Sequence, residues 1–258
     1  MKLHIERRGR SGGPLVLIHG WGFHSAVWDT LSNLLASEFS LYLVDLPGHG
    51  YSPDPMPGCS LDEAVATLAQ AVPYHSTWLG WSLGGLVALA SALVRPERVG
   101  QLLLVASAPR FVAGPDWPHG VASDLLDSFA AELACDLPGT LSRFVALQSR
   151  GAAQAARTAH RLARVLREGP PARTSGLDCG LAWLRDTDLR DRISEVRCPA
   201  RVLLGERDTI VSPALLPDIL ALHPDWRGEV LAGAGHAPFL ADPDGFRRTL
   251  LGAPLDVT

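Results

Sequence analysis

Gly80-Trp81-Ser82-Leu83-Gly84-Gly85 lies between two apolar runs, Thr77-Trp78-Leu79 before it and Leu86-Val87-Ala88-Leu89-Ala90 after it. A G-x-S-x-G placed between a strand and a helix describes a sharp turn that holds its serine in strained backbone. Glycines are needed there because neighbouring main chains come too close for a Cβ. Such a turn presents Ser82 to a substrate and aims the Leu83 amide, at the first turn of the helix, toward a negative oxygen forming beside the serine. The competing reading is a Ser/Gly-rich loop matched by chance, and it leaves the strand before and the helix after unexplained.

Working outward, 258 residues with 47% apolar composition suffice for one large α/β domain carrying an inserted subdomain. A formal charge of -4 gives no global pull toward nucleic acid or a membrane, so any charged partner must be met by a local patch. Lys2 is the single lysine, and arginine supplies the remaining positive charge. Cys59, Cys135, Cys179 and Cys198 show neither C-x-x-C nor metal-like spacing, which suits a reducing compartment. The start, Met1-Lys2-Leu3-His4-Ile5-Glu6, alternates like a strand without the apolar core of a signal peptide, and no apolar run reaches membrane-spanning length. The expected location is the cytoplasm, and the chain is taken as a monomer.

Leu3 to Arg7 reads as an edge strand and Pro14 to Ile18 as a buried one ending at His19-Gly20-Trp21-Gly22. Ligands collect beyond the carboxyl ends of strands in a doubly wound sheet, so this glycine-rich loop can offer backbone amides to a substrate. The Trp21 amide is accordingly assigned as the second oxyanion donor, beside Leu83; the plainer alternative is a strand-to-helix turn packed tightly by its glycines. Ala26 to Ser37 reads as a helix, and Leu41 to Val44 as a strand ending in Asp45-Leu46-Pro47-Gly48-His49-Gly50-Tyr51-Ser52. His49 and Asp45 invite a catalytic reading, but a proline and two glycines argue for a rigid turn in which both are structural.

Leu61 to Ala71 reads as a helix and Val99 to Ala106 as a strand-like run. Strands alternating with helices of this length predict a parallel sheet with right-handed crossovers. The rhythm stops between Pro109 and about Arg190, where helical patterns are broken at Pro115, Pro118, Pro138, Gly139, Gly169, Pro170 and Pro171. It resumes at Ala200 to Leu204 and again at Gly228 to Leu231. Residues 1–108 and 191–258 are therefore expected to form an α/β core, and 109–190 a helical cap that walls the pocket off from water.

Two later loops complete the chemistry. Gly205-Glu206-Arg207-Asp208 puts an acid beyond one strand, and Gly233-Ala234-Gly235-His236-Ala237-Pro238 puts a histidine beyond the last. A serine hydroxyl is a poor nucleophile at neutral pH and needs a neutral imidazole to take its proton and later return it to the leaving group. His236 is the candidate base, with the Asp208 carboxylate fixing its tautomer and Glu206 as the rival acid. The chain order Ser, Asp, His agrees with the α/β-hydrolase arrangement.

The chain resembles the α/β-hydrolase family across almost its full length, in HGWG at 19–22, DLPGHGYS at 45–52, GWSLGG at 80–85, RPERV at 95–99, GERD at 205–208 and GHAPF at 235–239. Arg143-Phe144-Val145-Ala146-Leu147-Gln148, together with Trp21, Trp81 and Leu83, resembles more narrowly the esterases that act on the methyl ester of a pimeloyl chain carried by acyl carrier protein, in biotin synthesis. That resemblance implies a mostly parallel sheet flanked by helices, hydrolysis to methanol and a free carboxylate, and no metal or organic cofactor. It also implies that Ser82, Asp208 and His236 form the triad. Trp21, Ser82, Leu83, Phe144, Val145, Ala146, Leu147, Gln148 and His236 would contact substrate.

A carrier-protein partner has a second support in the residues. From Leu137 to Arg167 there is no Asp or Glu, yet Arg143, Arg150, Arg157 and Arg164 recur seven apart, with Arg161 and Arg167 beside them. On a helix Arg157, Arg161 and Arg164 share a face, to which an acidic carrier is drawn. Arg143, Arg150, Arg157 and Arg161 are the docking candidates, against the plainer reading of a solvated helix face; Gly151 is expected to break the helix between the first pair and the second. A general short-chain carboxylesterase, a serine hydrolase of carbon-carbon bonds, and a hydrolase-fold receptor with little turnover are the alternatives, because a triad does not define the acyl group.

Overall fold

The computed structural model describes residues 2–56, 58 and 60–252, so Met1 and Cys59 lie outside the described residues. In chain order the elements are β1 (Ile5–Arg8), β2 (Pro14–Ile18), α1 (Asp29–Leu35), β3 (Ser40–Val44), α2 (Leu61–Ala71), β4 (Ser76–Trp81), α3 (Leu83–Val94) and β5 (Val99–Val105). Four helices follow, α4 (Ser123–Cys135), α5 (Leu137–Ser149), α6 (Ala155–Glu168) and α7 (Thr174–Asp186). Then come β6 (Ala200–Gly205), α8 (Leu215–Leu222), β7 (Arg227–Leu231), α9 (Pro238–Ala241) and α10 (Pro243–Leu251).

The strands form one sheet in the order β1-β3-β2-β4-β5-β6-β7, parallel throughout except for β1, which runs antiparallel to β3 at the edge. Alternation of side chains along each strand divides the core in two. Val16, Ile18, Trp78, Leu102, Leu104 and Val202 face α2, α3 and α8, whereas Leu15, Leu17, Leu79, Trp81, Leu103 and Leu203 face α1, α9 and α10. Near-continuous apolar strands are thus what burial on both faces requires. The sheet is mostly parallel and flanked by helices, and the extra helices enter between β5 and β6, where the strand rhythm of the sequence stops.

Two elements differ from expectation. The stretch from Ala26 to Ser37 is not one helix: a tight turn at Ser25–Trp28, capped by His24, precedes α1. The edge strand starts two residues later than the alternation suggested, at Ile5. Gly151 does separate α5 from α6, with φ +73.

Parallel strands bring four loops to one edge. The segments after β2, β4, β6 and β7 carry Trp21, Ser82, Asp208 and His236 respectively. The turn after β4 is pinned by Ser82 N–H donating to Val105 O at 2.9 Å and by Ser107 Oγ donating to Ser82 O at 2.8 Å. Ser82 itself sits at φ 54, ψ -118, a region a side chain rarely adopts. Room for this turn comes from its glycines: a Cβ on Gly84 would lie 2.3 Å from Ile18 O, and one on Gly80 would lie 2.2 Å from Gly84 O. Backbone cannot yield there as a side chain could. Gly84→Ala is expected to cost more than about 4 kcal/mol or to leave no folded protein, read by chemical unfolding; a loss under ~1 kcal/mol contradicts the tight-turn account.

Candidate active site

Asp208 and His236 are both buried, and His236 Nδ1 lies 2.8 Å from Asp208 Oδ2. The other carboxylate oxygen, Oδ1, accepts the N–H groups of Ile210 at 2.8 Å and Val211 at 2.9 Å, so the acid is held on both sides. Glu206 is not part of this pair; its Oε2 accepts the Gly233 N–H at 2.7 Å on the exposed side of the loop. The His236 loop is fastened from below: Trp81 Nε1 donates to His236 O at 2.7 Å, and His236 N–H donates to Gln148 O at 3.2 Å. Residue 81 therefore ties the histidine to the chain position next to the serine.

His236 Nε2 is buried and has no hydrogen-bond partner among the described residues. His236 is thus hydrogen-bonded to Asp208 through Nδ1 and makes no such bond to Ser82 through Nε2; in serine-hydrolase sites such bonds are often long or poorly aligned before substrate binds. Ser82 is 4% exposed and opens into an apolar cavity of about 30 Å³, room for about one water. Trp21, Phe129, Phe144 and Leu147 wall that cavity together with Leu181 and Leu184 of α7. Three aromatic rings meet there: Phe144 stands edge-on to Trp21 with centroids 4.9 Å apart, and Phe129 lies 5.6 Å from Phe144.

Helical spacing sorts the segment from Phe144 to Gln148. Phe144 and Leu147 face the cavity. Val145 turns into the core beside Leu162 and Val165, and Ala146 lines an outer groove, so neither side chain reaches Ser82 in this arrangement. Gln148 is buried with both side-chain polar atoms unpartnered. Trp21 donates its Nε1–H to Leu177 O at 2.9 Å, which fixes the indole over the cavity. Phe129, Leu181 and Leu184 were missed in the sequence. Leu181 and Leu184 stand three apart and Phe129 four after Leu125, the spacing of any buried helix stripe, and nothing in it separates a pocket wall from a core.

Beneath the Trp21 loop lie two buried histidines, His19 and His49, with ring centroids 5.2 Å apart. Burial pushes His49 down to about 3, with the neighbouring His19 adding to it. Burial likewise pushes His19 down to about 3, partly opposed by its bond to Gly20 O. Both are neutral in the folded protein over a range in which they are protonated in the unfolded chain. The unfolded state binds more protons between about pH 3 and 6.5, so stability is full above that window and falls as the pH drops through it, by about 1.4 kcal/mol per pH unit for each such group. The melting temperature is expected to fall steeply from pH 6.5 to 4; a flat profile contradicts the buried neutral pair.

Among the described residues, no group of three or more His, Cys, Asp or Glu could hold a metal ion, and no helix is long and apolar enough to cross a membrane.

A sheet of this topology, a serine on a strained strand-to-helix turn and an Asp-His pair on later loops define an enzyme of serine-hydrolase type. The chain belongs to the α/β-hydrolase family, which it matches over residues 15–249. It is 42% identical over 243 residues to the pimeloyl-[acyl-carrier protein] methyl ester esterase of Stenotrophomonas maltophilia, across 94% of this chain and 92% of the relative. It is 41% identical over 248 residues to the protein of the same name from Nitrosomonas europaea, across 95% and 96%. Among solved structures, an esterase from Exiguobacterium antarcticum has a TM-score of 0.84 at 24% identity, covering 97% of this chain and 94% of that one. A bromoperoxidase from Bacillus anthracis also has 0.84, at 22% identity over 96% and 94%. At those identities the likeness is one of fold alone.

Proposed function

We propose that this chain is a carboxylesterase that removes the methyl group from a pimeloyl methyl ester carried on acyl carrier protein, releasing methanol. The observation that carries the reading is the near full-length identity, 42% over 243 residues, to an esterase of that name. In this reading Ser82 Oγ attacks the ester carbonyl while His236 Nε2 takes its proton. The negative oxygen that forms is met by the N–H groups of Trp21 and Leu83. His236 returns the proton to the departing methoxide, and the acyl group stays on Ser82. A water then gives its proton to His236 and attacks the acyl carbon, and the Ser82 oxygen leaves with that proton. Asp208 keeps Nδ1 protonated throughout.

An apolar wall of Trp21, Phe129, Phe144 and Leu147 suits the methylene chain that would precede the ester. The cavity is far too small to hold that chain as it stands, so α4 and α5 must part on binding. An outer groove of about 370 Å³ between these helices shares Leu125, Phe129 and Leu147 with the cavity and carries Arg143 and Arg150 at its edge. A carrier seated there would thread its arm past Phe129.

The docking set narrows in the structure. Arg161 is only partly exposed and donates to Leu240 O, which makes it a brace between α6 and α9. Arg143 pairs with Glu132 at 2.7 Å and lies 3.9 Å from Asp136, so its charge is largely spent within the cap. Arg157 bonds only the neutral Gln154, and neither it nor Arg150 has an ion pair among the described residues. Arg150→Glu with Arg157→Glu is expected to raise KM for the carrier-bound ester by about fivefold or more and to leave p-nitrophenyl butyrate unchanged. Equal effects on both substrates contradict docking.

Free Cys135, Cys179 and Cys198 suit a reducing cytoplasm, and one chain supplies every group the mechanism uses, as a monomer would. The deciding experiment is rescue of a biotin auxotroph that lacks its methyl esterase. Growth without biotin supports the reading; a well-expressed protein that fails to rescue favours a general esterase.

A further inference from the structure

The 45–52 turn, set aside as rigid in the sequence, faces the Trp21 loop across three hydrogen bonds. His49 Nε2 accepts the Gly22 N–H at 3.3 Å, and Asp45 Oδ1 accepts the Ser25 N–H at 2.7 Å. In the reverse direction, Leu46 N–H donates to His19 Nε2 at 3.0 Å. These contacts fall at residues 19, 22 and 25, on both sides of Trp21. We propose that this turn positions the oxyanion loop, with His49 holding the peptide that follows Trp21 and so the direction of the Trp21 N–H. The proposal rests on the assignment of that N–H as an oxyanion donor.

The turn is built to be stiff. Asp45 Oδ2 accepts the Tyr51 N–H at 2.9 Å, and Ser52 Oγ donates to Asp45 O at 2.6 Å. His49 Nδ1 donates to Pro47 O at 2.9 Å, and this assigns the proton to Nδ1 and leaves Nε2 as the acceptor that Gly22 requires. Burial keeps the ring neutral down to about pH 3, so the acceptor is available at neutral pH. A protonated ring would turn a donor toward the Gly22 N–H.

The same turn meets the cap. Gly48 O accepts the Arg173 N–H at 2.8 Å, and a Cβ on Gly48, at φ +72, would lie 2.4 Å from Gly176 Cα. One turn of α7 further on, Leu177 O accepts the Trp21 indole. Both the main chain and the side chain of Trp21 are therefore referred to the start of α7, one through the turn and one directly. An oxyanion donor must be aimed before charge develops, and a displacement of about 1 Å can cost about 10²-fold in rate. A single neutral hydrogen bond is a small part of global stability, so the effect belongs in kcat.

His49→Asn and His49→Gln separate position from bulk. Glutamine carries an acceptor to about the place of Nε2, whereas asparagine reaches only that of Nδ1. With p-nitrophenyl butyrate, His49→Asn is expected to lower kcat by about 10²-fold with KM within about twofold of wild type, and His49→Gln to restore kcat to within about fivefold. Equal losses in both variants, a loss carried by KM, or an unchanged kcat in His49→Asn overturns the proposal. Ser82→Ala run in parallel tells the two levels apart: turnover that survives it removes the esterase reading and this proposal together. Ser82-dependent turnover with a normal His49→Asn removes the positioning role alone. Amide hydrogen exchange in the wild-type protein needs no variant to fold. The Gly22 N–H should be protected as the Leu46 N–H is, and rapid exchange at Gly22 overturns the proposal.

Discussion

Ser82→Ala is expected to lower kcat for a simple ester by about 10⁴- to 10⁶-fold. Among the described residues the serine is the one hydroxyl held on strained backbone, at φ 54, and it opens into the apolar cavity that the cap closes. Removing its oxygen leaves nothing for His236 to activate, and any residual rate must come from the amides and from binding alone. Alanine also fits the turn as well as serine does, so stability should barely change. Labelling by a fluorophosphonate should vanish with the hydroxyl. Labelling or turnover that survives in Ser82→Ala places the nucleophile elsewhere.

Asp208→Asn is expected to cost about 10⁴-fold in kcat, for a reason that the hydrogen bonds of this loop specify. Oδ1 accepts two backbone N–H groups, from Ile210 and Val211, so the carbonyl oxygen of an introduced amide must take that place. Its NH₂ then points at His236 Nδ1, which today lies 2.8 Å from Oδ2. A donor there forces the imidazole into the tautomer with its proton on Nε2, and that ring cannot accept from a serine. Glu206→Gln, by contrast, alters the bond to Gly233 N–H and a long, exposed ion pair with Arg207 at 3.9 Å, neither of which touches His236, and should change kcat by less than about threefold. A mild Asp208→Asn together with a severe Glu206→Gln would exchange the two acids.

The core of this fold was legible because burial on both faces leaves the inner strands as unbroken apolar runs, and three of the four functional loops follow such a run; the fourth, which carries His236, follows the exposed edge strand β7. Ser82, Asp208 and His236, the proposed triad, each stand in a glycine-marked loop at a strand's carboxyl end, and that placement is what singles them out in the sequence. The cap was legible as helical but not in its detail. Phe129, Leu181 and Leu184 wall the cavity from a helix stripe that, in sequence, reads as ordinary core. Val145 and Ala146 come with Phe144 and Leu147 from the resemblance, which carries the segment as a whole, and the helix sends these neighbours in different directions. Arg161 shares a stripe with Arg157 and Arg164 as expected. Only the packing of α6 on α9 shows that its guanidinium is engaged by Leu240 O.

Legibility failed differently for His49. Its place between proline and glycine marks a rigid turn, and the partner it holds, Gly22, is on another loop whose distance no local pattern encodes. Long-range hydrogen bonds of this kind depend on how the sheet orders its strands: β3 and β2 are neighbours, so the loops that follow them meet.

Incubating the purified protein with the methyl ester of pimeloyl-acyl carrier protein and following the carrier by intact-mass spectrometry tests the central claim most directly. The expected result is conversion to the free acid, methanol released in equal amount, and no conversion by Ser82→Ala. A carrier-bound ester that stays intact while the same preparation cleaves p-nitrophenyl butyrate would contradict the proposed substrate, and conversion by Ser82→Ala would contradict the proposed chemistry.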